Sequence, residues 1–151
     1  MEFRPFYLYS NRITYFNDFT SKNVDYELVI QQIIHQDDSS ICLHDGFIFS
    51  RNGTYEVSFD VRYNRENNAH AFTSPEDEIC AIKVIRHVEK AVIAHYIKYQ
   101  AGMYLFLAAD AKLSQIYQRI VRKSFATGNT LESGFQPNRR GYVIRTPQCY
   151  L

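Results

Sequence analysis

The sequence predicts an α+β domain: a mostly antiparallel β-sheet with two helices packed on it, in the order β(4-6)-α-β-α-β. Three observations carry this. Aromatic and β-branched runs with period-two alternation crowd the first 63 residues. Two later stretches change to a period of 3.6. A short, wholly apolar segment separates those two. A chain of 151 residues can build one hydrophobic core and is short for two. No repeat or Pro/Gly-rich linker divides it, so residues 1–151 are read as a single domain.

The elements follow in order. "PFYLYS" and "RITYFNDF" predict two short aromatic strands around a turn at Ser10-Asn11. "VDYELVIQQIIH" alternates as a strand at Tyr26, Leu28 and Ile30, while Ile30, Ile33 and Ile34 fit a helix face. Its β-branched content favours strand. In "FIFSRNGTYEVSFDVRY", Asn52-Gly53 supplies the positive φ angles of a type I′ turn and predicts a hairpin. Beyond it Tyr55, Val57, Phe59, Val61 and Tyr63 share one face, and Glu56, Ser58, Asp60 and Arg62 face water on the other.

A polar loop leads to a long helix. Ser74 can cap it, Pro75 suits its first position, and Glu76, Asp77 and Glu78 oppose the positive dipole end. Ile82, Ile85, Val88, Val92 and Tyr96 form the expected buried stripe, with Gly102 as terminator. "MYLFLA" reads as a central strand. Asp110 then caps a second helix whose apolar face is Leu113, Ile116, Tyr117, Ile120 and Val121, with Gly128 as its stop. After a loop of about a dozen residues, "GYVIRT" predicts the last strand.

Composition bounds the function. Twelve Tyr and eleven Phe with no Trp suit a sheet core closed by amphipathic rings, or a partly exposed face. Cys42, Cys80 and Cys149 are widely spaced and odd in number, which argues against a disulfide framework and a structural zinc site. The N-terminus lacks the basic-then-apolar pattern of a signal peptide, and no apolar run reaches the ~18 residues of a membrane span. A cytoplasmic protein with no membrane partner is expected. The net charge of +1 conceals an asymmetry. Residues 1–110 carry ten Lys/Arg against fifteen Asp/Glu, and residues 111–151 carry seven against Glu132 alone. Such a split predicts a dipolar surface or an internal match of basic end to acidic sheet.

The order hairpin strand, long helix, strand, capped helix, final strand over residues 54–146 resembles the second half of GNAT-superfamily N-acetyltransferases. In "ADAKLSQIYQRIVRKSF", Asp110 stands at the capping position and Tyr117 where the family often has a tyrosine. The resemblance implies Tyr117 as the acid that protonates a departing thiolate. The sequence departs from the family at the coenzyme A pyrophosphate turn. "HAFTSPEDEIC" has no Gly there, places Pro75 where a donor is needed and brings three carboxylates to the anion site. Their repulsion amounts to several kcal/mol even at moderate dielectric. In outline the chain also resembles small uncharacterised proteins of bacterial prophages and mobile elements, through "KVIRHVEKAV", "YLFLAA" and "KLSQIYQRIVRK".

No other catalytic constellation emerges. His35, His44, His70, His87 and His95 include no H-x-x-x-H pair, and His87 and His95 read as solvent-side or helix-edge residues. Cys80 lies beside carboxylates that oppose thiolate formation and reads as core packing. Asp37-Asp38 reads as a solvated turn. No catalytic, cofactor-binding or metal-ligating residue is assigned, and no cofactor is expected. The segment "NTLESGFQPNRRGY" reads as a loop of a length that is usually either functional or mobile, carrying Phe135 and the pair Arg139-Arg140. With Arg119, Arg122 and Lys123 these form the expected partner-binding edge, arginine being suited to bidentate grip of carboxylates and phosphates. The expected function is a non-enzymatic protein-binding module, such as a phage-type inhibitor or immunity-like protein. A GNAT-like acyltransferase and a nucleic-acid binder are the alternatives, and a pI of about 7.7 disfavours the last.

Folding is predicted to need neither zinc nor disulfides. A chelator should leave the melting temperature unchanged, and the native mass should correspond to three thiols. A chelator-induced drop, or the mass deficit of a disulfide, would overturn this.

Overall fold

The computed structural model describes residues 3–7, 12–21, 24–61, 78–108 and 128–151. These form strands β1 (Arg4–Tyr7), β2 (Ile13–Ser21), β3 (Val24–Gln32) and β4 (Thr54–Val61), helix α1 (Glu78–Tyr99), then β5 (Met103–Leu107), β6 (Thr130–Phe135) and β7 (Gly141–Arg145). They build one seven-stranded sheet in the order β1-β2-β3-β4-β5-β7-β6. The expected β(4-6)-α-β-α-β order with two helices on a mostly antiparallel sheet is corrected in three respects. The sheet is mixed, because β4 and β5 are parallel. Residues 130–135 are a strand where a loop was expected. Among the described residues one α-helix packs on the sheet, and the stretch 110–127 expected as a second helix lies outside them.

The parallel pair follows from the length of α1. Its 22 residues span about 33 Å, enough to carry the chain back along the sheet so that β5 enters beside β4 in the same direction. Val84, Ile85, Val88, Ala91 and Val92 are buried against the sheet, with Ile82 and Tyr96 half-buried at the margins. The facing sheet residues are Tyr26, Leu28 and Ile30 on β3, Tyr55, Val57 and Phe59 on β4, Tyr104 and Phe106 on β5, and Tyr142 and Ile144 on β7. Each large apolar side chain buried here contributes about 1.5–3 kcal/mol. "MYLFL" lacks polar alternation because β5 is buried on both faces: Met103 and Leu105 point away from α1.

The helix ends earlier than expected. Gln100 takes the left-handed conformation (φ 54°) and donates its backbone N–H to the Tyr96 carbonyl at 2.8 Å. Its side-chain amide donates to the Tyr96 and Ile97 carbonyls, both at 3.2 Å, closing the last turn.

The expected hairpin at Asn52-Gly53 does not form. Both edges of β4 are occupied, by β3 and β5, so residues 47–50 have no edge to pair with. The segment between β3 and β4 instead lies across the second face of the sheet. Ile33, Ile41 and Phe47 pack there on Met103, Leu105, Val143 and Cys149. This corrects at Glu56 the expectation that the polar face of β4 meets water, whereas Ser58 is exposed as expected. Glu56 is buried, and its carboxylate accepts from Ser39 Oγ (2.8 Å), Ser40 N (2.8 Å) and Ser40 Oγ (3.0 Å). A buried carboxylate needs such partners, and here they fasten the covering segment. No helix among the described residues is long and apolar enough to cross a membrane.

Gly102 is required for close approach and not for helix termination. A Cβ there would stand 2.5 Å from Ser50 Cβ and 3.2 Å from Cys149 Cα. Ser50 cannot swing away freely, since its hydroxyl donates to the Cys149 carbonyl at 2.9 Å. Gly102→Ala should therefore destabilise the protein by about 1–3 kcal/mol, the usual range for overpacking. Combining it with Ser50→Gly should recover part of the loss. Urea denaturation of both variants checks this, and additive losses would refute the shared contact.

Candidate functional site

The stretch 129–142, expected as a loop, is a β-hairpin at the sheet edge. β6 and β7 pair antiparallel from Thr130↔Arg145 to Phe135↔Gly141, with a bulge between Ser133 and Phe135 where Gly134 adopts φ 88°. The turn is Pro137-Asn138-Arg139-Arg140. Asn138 (φ 56°) and Arg139 (φ 58°) are both left-handed, and Arg140 N–H donates to the Pro137 carbonyl at 3.2 Å. This is the pattern of a type I′ turn, which suits hairpin twist and prefers Asn then Gly at its centre. Arginine at the second central position hides the turn from a sequence reading.

Phe135 holds the hairpin from beneath. Its ring meets Phe47 edge-on at 6.1 Å within the second core, and the Cys42 N–H donates to the neighbouring Gln136 carbonyl at 2.7 Å. Arg145 pairs with Glu132 at 2.7 Å, and its guanidinium lies 5.6 Å above the Phe47 ring. Outside this seat Thr130, Glu132, Ser133 and Gly134 are exposed, and β6 is the terminal strand of the sheet. Arg139 is exposed at the turn, whereas Arg140 is half-buried and engaged in an interaction of its own. The structure thus brings Phe135, Arg139 and Arg140 together, with Phe135 as anchor and Arg139 as the projecting cation. Arg119, Arg122 and Lys123, like Tyr117, fall outside the described residues.

A second constellation escaped the sequence reading. His95 is not at a helix edge: it is fully buried, and its Nδ1 lies 2.7 Å from the hydroxyl of the equally buried Tyr104. The rings of Tyr15, Tyr55 and Tyr99 surround it at 4.9, 4.7 and 4.7 Å, with Phe3 at 5.9 Å. Burial pushes the imidazole down to about 4 and the Tyr104 hydroxyl far up. The available signal was positional, since His95 continues the stripe of Val88 and Val92 at i+7 and i+3. His87 is half-buried instead, stacked on Phe19 at 4.0 Å with Nε2 3.0 Å from Asn17 Oδ1. Burial, then the nearby Lys90, lowers its pKa.

Among the described residues no three His, Cys, Asp or Glu side chains gather as a metal site. Asp38 pairs with Arg12 at 2.8 Å. Cys42 is an exposed free thiol and Cys149 a buried one. Compared with known proteins, the chain matches no family model, no curated protein and no solved structure.

A non-glycine residue in the left-handed region carries a backbone cost of about 1–2 kcal/mol, and such outliers gather at functional sites. Arg139→Gly should thus raise stability, by up to about 1 kcal/mol. Thermal and urea unfolding would show the gain. Destabilisation would mean that the arginine side chain supports the hairpin.

Proposed function

We propose that this chain is a protein-binding module that offers the β6–β7 edge to an extended, acidic segment of a partner, in the manner of an inhibitor or immunity-like protein. The observation that carries this is the exposed Arg139 at the centre of a turn that favours glycine, beside the terminal strand of the sheet. A terminal strand supplies main-chain donors and acceptors for strand addition. An arginine at its end supplies a bidentate grip on a carboxylate. The anchor at Phe135 and the Glu132–Arg145 pair pre-organise the edge, which limits the ordering cost of association.

A second reading, a GNAT-like acyltransferase, is favoured by the ladder of the parallel pair. β4 and β5 pair from Thr54↔Met103 to Val57↔Phe106. β4 then continues to Val61 against β3, and β5 to Leu107 against β7. In open sheets a crevice at the carboxyl ends of such strands is where ligands bind. In the sequence, the acidic run Glu76-Asp77-Glu78 stands where the resemblance puts the pyrophosphate turn, and its charge opposes coenzyme A.

Selection of displayed random peptides on the immobilised protein, with counter-selection on Arg139→Glu, tests the first reading. Acidic peptides should be enriched, should bind more weakly as salt rises, and should lose at least about tenfold in affinity for Arg139→Glu. That variant should keep its stability within about 0.5 kcal/mol. Enriched peptides that bind both proteins equally would sink this surface. Calorimetry with acetyl-CoA is expected to show no saturable heat, and micromolar binding would favour the second reading instead.

A further inference from the structure

We propose that the His95–Tyr104 pair is an acid-sensitive latch that holds the last turns of α1 to β5 and the rest of the sheet, and that protonating His95 opens it. The geometry is specific. The latch joins five parts of the chain: Phe3 ahead of β1, Tyr15 on β2, Tyr55 on β4, His95 and Tyr99 on α1, and Tyr104 on β5. The imidazole is fully buried and has one hydrogen-bond partner, Tyr104, while its Nε2 has none among the described residues. As a neutral ring it fits as an apolar, edge-on partner to its neighbours. As an imidazolium it would carry N–H groups on both nitrogens. Whichever nitrogen holds the proton in the neutral ring, the imidazolium would carry a charge and both N–H groups in an apolar cage where, among the described residues, the Tyr104 oxygen is the one polar partner.

The groups that face this site decide the sign. Tyr15 from β2, Tyr55 from β4, Tyr99 from α1 and Tyr104 from β5 are the titratable groups that face it, and burial raises the pKa of Tyr55 and Tyr104. Tyr96 lies within electrostatic reach of Tyr104, and Lys98 sits over the Tyr99 ring at 5.2 Å. Among the described residues no carboxylate contacts the imidazole to stabilise its charged form. The aromatic faces offer cation–π attraction, yet burial dominates and leaves the folded-state pKa at about 4, against 6.5 for a free imidazole. A folded-state value below the unfolded one means the open state binds the proton more tightly. Stability from the latch is therefore intact above about pH 6.5, and it declines as pH falls toward about 4. At about pH 5 the opening equilibrium should rise by roughly 20-fold over its value at about pH 7.

Hydrogen exchange read by mass spectrometry tests the latch on the full chain. After correction for intrinsic rates, peptides covering residues 92–104 should lose protection by roughly 20-fold between about pH 7 and pH 5. The double variant His95→Phe with Tyr104→Phe removes both polar groups together and should show no such loss. His87 remains in both proteins, so its titration cancels in the comparison. Equal acid sensitivity in the double variant would overturn the proposal. Should that variant fail to fold, the His95 ring titrated by NMR in the native protein decides: a midpoint near 6.5 overturns the latch, and one well below it supports it.

Discussion

The structure depends on the point where β4 and β5 begin. The Gly53 carbonyl accepts from two successive amides, Gly102 N–H at 3.0 Å and Met103 N–H at 3.1 Å. That shared acceptor sets the parallel register Thr54↔Met103. Thr146 completes the junction: its N–H donates to the Gly102 carbonyl at 3.0 Å and its hydroxyl to the Ala101 carbonyl at 2.6 Å. Asn52 then ties in the C-terminal residues through the Gln148 and Leu151 carbonyls, at 2.7 and 3.0 Å. Three segments far apart in sequence converge on one knot of backbone hydrogen bonds. The space at that knot admits no Cβ at position 102.

From this junction the two faces of the sheet acquire opposite characters. The helix face is aromatic and wide, and tyrosines fill it because their rings bridge between strands while their hydroxyls find partners. The second face is narrower and closed by irregular chain, which cannot satisfy its own backbone groups through a ladder. Glu56 solves that problem locally, by accepting from the Ser40 amide and two serine hydroxyls. One buried carboxylate thus stands in for the strand pairing that residues 39–40 lack.

Backbone groups without a ladder partner also line the edge of the sheet. A terminal strand is a hazard unless it is blunted or used. β6 carries a bulge, Glu132 and a short length, all of which limit indiscriminate pairing. It also ends in a turn whose second central residue is a charged side chain where glycine would be less strained. Restraint along the strand with a cation at its end is a combination suited to selective strand addition, and Phe135 beneath gives it a fixed frame.

How much of this was legible in the chain depends on the range of the forces involved. The alternation in β3 and β4, the 3.6-residue stripe of α1 and the unbroken apolar run of β5 are local consequences of which face is buried, so periodicity disclosed them. Arg139 stood out by charge alone, although the turn that presents it was concealed because arginine fills the glycine position. Pairing partners were not local. Asn52-Gly53 carried a hairpin signal that was overruled because both edges of β4 were claimed by segments distant in sequence. His95 read as an edge residue because one histidine on a stripe looks alike whether it faces water or an aromatic cage. By itself the sequence determined where β1 to β5, β7 and helix α1 lie and which face of the helix is apolar, while strand β6 stayed hidden in an expected loop. Only the tertiary structure decided that β4 and β5 run parallel, that Glu56 is buried and that His95 meets Tyr104, since each depends on contacts whose formation no local pattern encodes.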